Sequence, residues 1–207
     1  MYKLPFLPYL FQDLEPFIDT HTMGLHYYKH QKNYLNNLNE MLKKNRYDYQ
    51  YNINELLYHI DEFPNDDREN LLFNLGGVLN HNWYGRSMNK PQIRNLPPGK
   101  LNDKIIETFG NFDEFYSLFK EKALSLKGSG YTFLVVDKNQ NLLIINTKNQ
   151  YTPLLDGYLP LLNIDLWEHA YYINYENDKV RYIENFKEII DFDYANNLYE
   201  KIMKWIY

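Results

Sequence analysis

The chain has 207 residues, enough to bury one large core or two small ones. Its 21 Tyr and 12 Phe bring the aromatic share to 17%, which excludes an intrinsically disordered chain. The formal charge of -5 carries no basic block and argues against nucleic acid as the main partner. With Cys at 0, disulfides, thiolate metal sites and cysteine nucleophiles are excluded.

The mean hydropathy of -0.61 reflects Asn, Lys and Tyr. No apolar run reaches the ~20 residues that a membrane span needs. The opening MYKLPFLPYLFQDLEPF is apolar but broken by prolines and by Asp13 and Glu15, unlike a secretory signal. The expectation is a soluble, intracellular, cytoplasmic protein with no membrane association.

In chain order, residues 1–17 predict an extended lead-in. From Asp19 or Thr20 to about Lys44, Met23, Tyr27, Tyr34, Leu38 and Met41 recur at helical spacing, predicting a long amphipathic helix. After the Tyr- and Asn-rich stretch NRYDYQYN comes a short helix at about 54–61. Asn65 reads as an N-cap with Asp66 and Asp67 in the first turn, opening a second long helix to about Met88. The segment NKPQIRNLPPGK, 89–100, is the domain boundary, separating an N-terminal helical hairpin (1–90) from a C-terminal unit (91–207).

In the second unit, helical stretches at about 103–109 and 113–126 lead to Gly128-Ser129-Gly130. YTFLVVD and LLIINT flank the turn residues KNQN as an antiparallel hairpin, and YLPLLNID supplies a third strand. Helical patterns resume from Leu166. The fold class is α+β: a long antiparallel helical hairpin, then a three-stranded antiparallel sheet flanked by helices.

The chemistry centres on six histidines: His21, His26, His30, His59, His81 and His169. A single histidine is more often a surface or packed core residue than a ligand. His26 and His30 are four apart on the first long helix, with Tyr34 one turn on. His81 sits on the second long helix beside Trp83 and Tyr84. Asp165 and His169 are four apart at a strand-to-helix junction, a spacing that lets both face one centre and that also suits a capping Asp165 with a packed His169. Gly76-Gly77 lies mid-helix, at roughly 1 kcal/mol per residue against Ala, which is tolerated where something approaches the backbone closely. A carboxylate-bridged di-iron site would need paired Glu-x-x-His motifs, and Glu55…His59 has the wrong interval.

These blocks, LPFLPYLFQDLEPFID, TMGLHYYKHQKNYLNNLN, GGVLNHNWY, GSGYTFLVVD, NQYTPLL and DLWEHAYYINY, resemble the iron/manganese superoxide dismutase family from Leu4 to about Phe192. The resemblance implies that one manganese ion per chain, with iron as the alternative, is held by His26, His81, Asp165 and His169. It implies that Tyr34 and His30 line the access channel and relay protons, and that Gln150 hydrogen-bonds the metal-bound solvent. Trp167 would form an aromatic wall under the ligands. Glu168 and Tyr172 would reach across the interface of a homodimer, or of a tetramer built from it.

Superoxide is the implied substrate, and three imidazoles with one carboxylate suit a metal cycling between its trivalent and divalent states. Gly77 with Gln150 matches the manganese-type arrangement, in which the C-terminal unit supplies the glutamine and a helix glycine makes room. A net charge of -5 requires local attraction of an anion, with Lys29 and Lys179 as candidates. The chain departs from the family pattern at Val78, Gly85, Tyr131, Phe133 and Lys179, positions around the metal packing and the substrate funnel. A non-catalytic, dismutase-like metal-binding or interaction protein is the alternative function.

Overall fold

The structure, a computed structural model, describes residues 1–92 and 95–205. The lead-in is not wholly extended. Phe11–Leu14 form a 3-10 turn, and the Asp13 carboxylate closes it by accepting the Leu10 amide at 2.8 Å.

The first long helix is three segments in one rod: α1 (Thr20–Leu25), a π-helical stretch (His26–Gln31) and α2 (Lys32–Lys44). Asp19 starts it by accepting the Thr22 amide at 2.6 Å. The short helix is a 3-10 segment, Glu55–Glu62.

Helix α3 (Asn65–Arg86) corrects the expected cap. Pro64 occupies the N-cap, Asn65 is already helical, and no side chain caps the end. The Pro64 ring keeps Phe63 before it extended, and Pro64 itself sits at ψ 139°, so the helix starts at Asn65, one residue earlier than an Asn65 cap would give.

Leu35, Leu38 and Leu42 of α2 pack against Leu71, Leu75, Val78 and Leu79 of α3, all buried. Each such side chain contributes about 1.5–3 kcal/mol. From Leu75 to His81, α3 is buried on every side, because β3 covers the flank that α2 leaves open.

The second unit begins with α4 (Gly99–Phe109) and α5 (Phe112–Ser125). Strands β1 (Gly130–Val136), β2 (Leu142–Lys148) and β3 (Leu159–Asp165) form an antiparallel sheet in the order β2-β1-β3. The central strand β1 is buried along its length, as its aromatic and β-branched sequence suits. In the β1–β3 register Tyr131 lies opposite Asp165, so the two side chains share one face of the sheet.

Three short or medium helices follow: α6 (Tyr172–Tyr175), α7 (Lys179–Phe186) and α8 (Phe192–Trp205). Met23, Tyr84 and Met88 of the hairpin join the core of the second unit, so the two layers close over the space between α1, α3 and β3. Among the described residues no helix is long and apolar enough to cross a membrane. Residues 93 and 94 of the predicted boundary segment lie outside the described residues.

Candidate metal centre

Four elements bring four donors to one point. His26 comes from the first turn of the π-helical stretch, and His81 from the buried half of α3. Asp165 ends β3, and His169 follows on a 3-10 turn, Glu168–Ala170. One ligand-type atom from each lies within 4.8 Å of all the others. His26, His81 and Asp165 are buried, and the His169 side chain is 14% exposed.

The hydrogen bonds fix how these groups point. Asp165 Oδ1 accepts the Trp167 amide at 2.8 Å, and its backbone carbonyl accepts the Tyr182 hydroxyl at 2.9 Å. This leaves Oδ2 facing the imidazoles, with His26 Nε2 at 3.2 Å, His169 Nε2 at 3.7 Å and His81 Nε2 at 3.8 Å.

His81 Nδ1 donates to the Gly77 carbonyl at 2.6 Å, which places the proton on Nδ1 and the lone pair on Nε2. His81 Nε2 and His169 Nε2 are buried with no hydrogen-bond partner among the described residues. A lone pair aimed at a carboxylate oxygen is repulsive unless a cation lies between them. The donor set therefore fits a metal ion, and three imidazoles with one carboxylate suit Mn, Fe or Zn.

Protonation agrees with this fit. Burial lowers the His26 pKa and brings that of His81 down to about 3, so both rings are neutral near pH 7. Burial works to raise the Asp165 carboxyl, but hydrogen bonds and charge from His169 and His26 outweigh it and hold it well below the ordinary range. The site presents one negative charge, on Asp165, and neutral rings at His26 and His81.

Around this cluster lie the other expected residues. Gln150 is buried and donates from Nε2 to the Tyr34 hydroxyl at 3.0 Å. Burial raises the Tyr34 phenol, so it keeps its proton near neutral pH. The His30 ring stacks on His169 with centroids 4.0 Å apart, and burial with the neighbouring His169 and His26 lowers its pKa to about 4.

Lys29, His30, Lys32, Tyr34 and Phe73 line an open depression of about 840 Å³ that leads to Tyr34. Lys179 is not part of this lining. Burial lowers its pKa, against the charge of Glu168, which raises it. Trp167 packs with Trp83 against Tyr131, Phe133 and Val135, the apolar floor of the site. Glu168 and Tyr172 are exposed beside His169.

The two helix glycines divide their roles differently from the sequence expectation. A Cβ at Gly77 would meet the Tyr34 ring at 2.6 Å, whereas a Cβ at Gly76 would meet the Gln150 backbone oxygen. It is Gly76 that makes room for the Gln150 segment, and Gly77 that seats Tyr34.

Sequence reasoning missed several contacts. The Tyr131 hydroxyl reaches Gln150 Oε1 at 3.1 Å, and Tyr84 and Tyr182 share a buried hydroxyl pair at 3.0 Å behind Asp165. The available signal was general: a tyrosine buried in a strand or helix needs a partner for its hydroxyl. Of the departures, Gly85 accommodates Leu7, and its carbonyl accepts the Tyr9 hydroxyl at 2.9 Å. Val78 is ordinary core between the hairpin helices.

Comparison with known proteins gives one pattern. Residues 1–89 match the model of the iron/manganese superoxide dismutases, alpha-hairpin domain, and residues 97–198 match that of the C-terminal domain. A relative described as superoxide dismutase [Mn], from Listeria innocua serovar 6a, is 38% identical over 199 residues, spanning 96% of this chain and 98% of its own length.

Proposed function

The chain belongs to the iron/manganese superoxide dismutase family, and on that footing we propose that it dismutates superoxide at the His26, His81, Asp165 and His169 cluster. Two superoxide anions and two protons give one dioxygen and one hydrogen peroxide. The bound manganese or iron ion supplies the electron exchange by alternating between its trivalent and divalent states.

The observation that carries the site is the pair of orphaned imidazole nitrogens aimed at Asp165 Oδ2. Gly77 fixes the His81 tautomer and Trp167 fixes the Asp165 carboxylate, so these ligands are oriented before any ion binds. On the open side, Tyr34 Oη accepts from Gln150, which frees its own proton to face the depression and serve as a general acid. His30 is neutral near pH 7 and flanks the same entrance. Lys29 and Lys32 at the mouth offset a net charge of -5 locally and attract the anion.

Manganese is the preferred metal in this reading, because Gln150 reaches the site from the C-terminal unit over Gly76. The working form is a cytoplasmic homodimer. The cysteine-free composition suits a reducing compartment, and exposed Glu168, Tyr172 and Ile173 beside His169 supply a surface for a second copy.

Metal-stripped protein reconstituted separately with Mn and with Fe tests the proposal. About one ion per chain and cyanide-insensitive activity that is higher per bound Mn are expected. Higher activity per bound Fe refutes the manganese preference, and activity without metal refutes the site.

A further inference from the structure

We propose that the Tyr131 hydroxyl is a positioning group that sets which way the Gln150 amide faces, and so where the Tyr34 proton points. This rests on the reading of Gln150 and Tyr34 given above.

Tyr131 is fully buried, so its hydroxyl must find its partners inside the protein. The nearest are Gln150 Oε1 at 3.1 Å and His81 Nδ1 at 3.3 Å, with the Asp165 carboxylate beyond them on the same face of the sheet. The His81 Nδ1 already carries a proton, because it donates to the Gly77 carbonyl at 2.6 Å. Tyr131 therefore cannot donate to it and can only accept a second, weaker branch of that bond. The single phenolic proton is left for Gln150 Oε1.

This direction has a consequence at the far end of the amide. With Oε1 held by Tyr131, Nε2 faces Tyr34 and donates to its hydroxyl at 3.0 Å. Tyr34 Oη then accepts, and its own proton is free to face the depression. If the amide turned over, Oε1 would face Tyr34 and take that proton, while Tyr131 would lose its acceptor at 3.1 Å and face the amide's Nε2 donor instead. The β1–β3 register, with Tyr131 opposite Asp165, places the Tyr131 side chain on the face of the sheet that carries Asp165.

The test is a double-mutant cycle on the metal-loaded protein with Tyr131→Phe and Gln150→Leu. Tyr131→Phe should lower kcat about tenfold, the size usual for losing a group that orients a metal site, with the metal content retained. In the Gln150→Leu background the same substitution should change kcat by less than about twofold, because its effect passes through the amide.

Independent, multiplying losses overturn the proposal, as does a Tyr131→Phe protein as active as the original while Gln150→Leu is impaired. Full activity in Gln150→Leu would instead refute the reading of Gln150 itself. A second readout needs neither activity nor a variant. In the full metal-free chain with labelled tyrosine, the Tyr131 hydroxyl proton should exchange slowly and give a magnetic-resonance cross-peak to Gln150. A rapidly exchanging hydroxyl overturns the proposal.

Discussion

Replacing Gly76 by Ala separates two physical effects of opposite sign. Gly→Ala inside a helix gains about 1 kcal/mol from backbone entropy and propensity. At Gly76, however, the new Cβ would fall 2.0 Å from the Gln150 backbone oxygen, where real Cβ contacts essentially never come under 3.0 Å. The oxygen must therefore retreat by about 1 Å.

Its segment is tied on both sides, by Asn149 N to Ser129 O at 2.9 Å and by Asn80 Nδ2 to Tyr151 O at 3.1 Å. Retreat is resisted, which puts the overpacking cost near the top of its usual range, about 3 kcal/mol. The net expectation is a loss of about 2 kcal/mol, or a Tm lowered by about 4–8 °C for a chain of this size.

Gly24 provides the control. It is also helical, but a Cβ there meets nothing within 4 Å, so Gly24→Ala should raise Tm by about 2–4 °C. Calorimetry or thermal circular dichroism on both variants decides the matter. A Gly76→Ala protein stabilised to the same extent as Gly24→Ala would refute the packing argument.

His81→Ala or Asp165→Asn should leave almost no bound Mn or Fe by elemental analysis of folded protein, and a variant that keeps one ion per chain contradicts the ligand assignment. The metal-free protein should lose stability in acid: an unfolded histidine takes a proton below about 6.5, whereas folded His81 stays neutral to about 3. The unfolded state therefore binds more protons across that window, and stability falls with pH by about 2 kcal/mol per such histidine between about pH 6.5 and 5. Urea midpoints that are equal or higher at the lower pH would contradict this. Glu168→Ala should weaken self-association in sedimentation and lower metal retention with it, and a wild-type chain that is fully active as a monomer removes the basis for that expectation.

The helices and strands were legible because each carries a clear period. Leu35, Leu38 and Leu42 repeat on one face of α2, and YTFLVV is too β-branched and aromatic to be anything but a strand. What stayed hidden depends on a single residue or on the third dimension. The π-helical stretch at His26–Gln31 leaves no mark on a 3.6-residue pattern, because one wide turn shifts the following face without changing which residues are apolar. The Pro64 cap was hidden by Asn65, which has the right side chain one position too late.

The site shows the same division more sharply. Spacing alone could suggest that Asp165 and His169 face one centre, since both lie on one short junction, but it could not bring His26 and His81 to them from two other elements. That convergence is a property of the packed layers, and the family resemblance supplied it in the sequence. The structure adds the physical reason. Two of the candidate ligands are aimed by a neighbour: the Gly77 carbonyl accepts the outer proton of His81, and the Trp167 amide donates to one oxygen of Asp165.

A glycine pair that costs helix stability is explained in the same terms. Gly76 admits the backbone of Gln150 and Gly77 admits the ring of Tyr34, the two groups whose hydrogen bond faces the entrance. The locally unfavourable residues of α3 lie where the second unit and the first helix must come closest. Helix propensity and close packing place opposite demands on this helix, and at both glycines the close approach of a neighbour sets the residue.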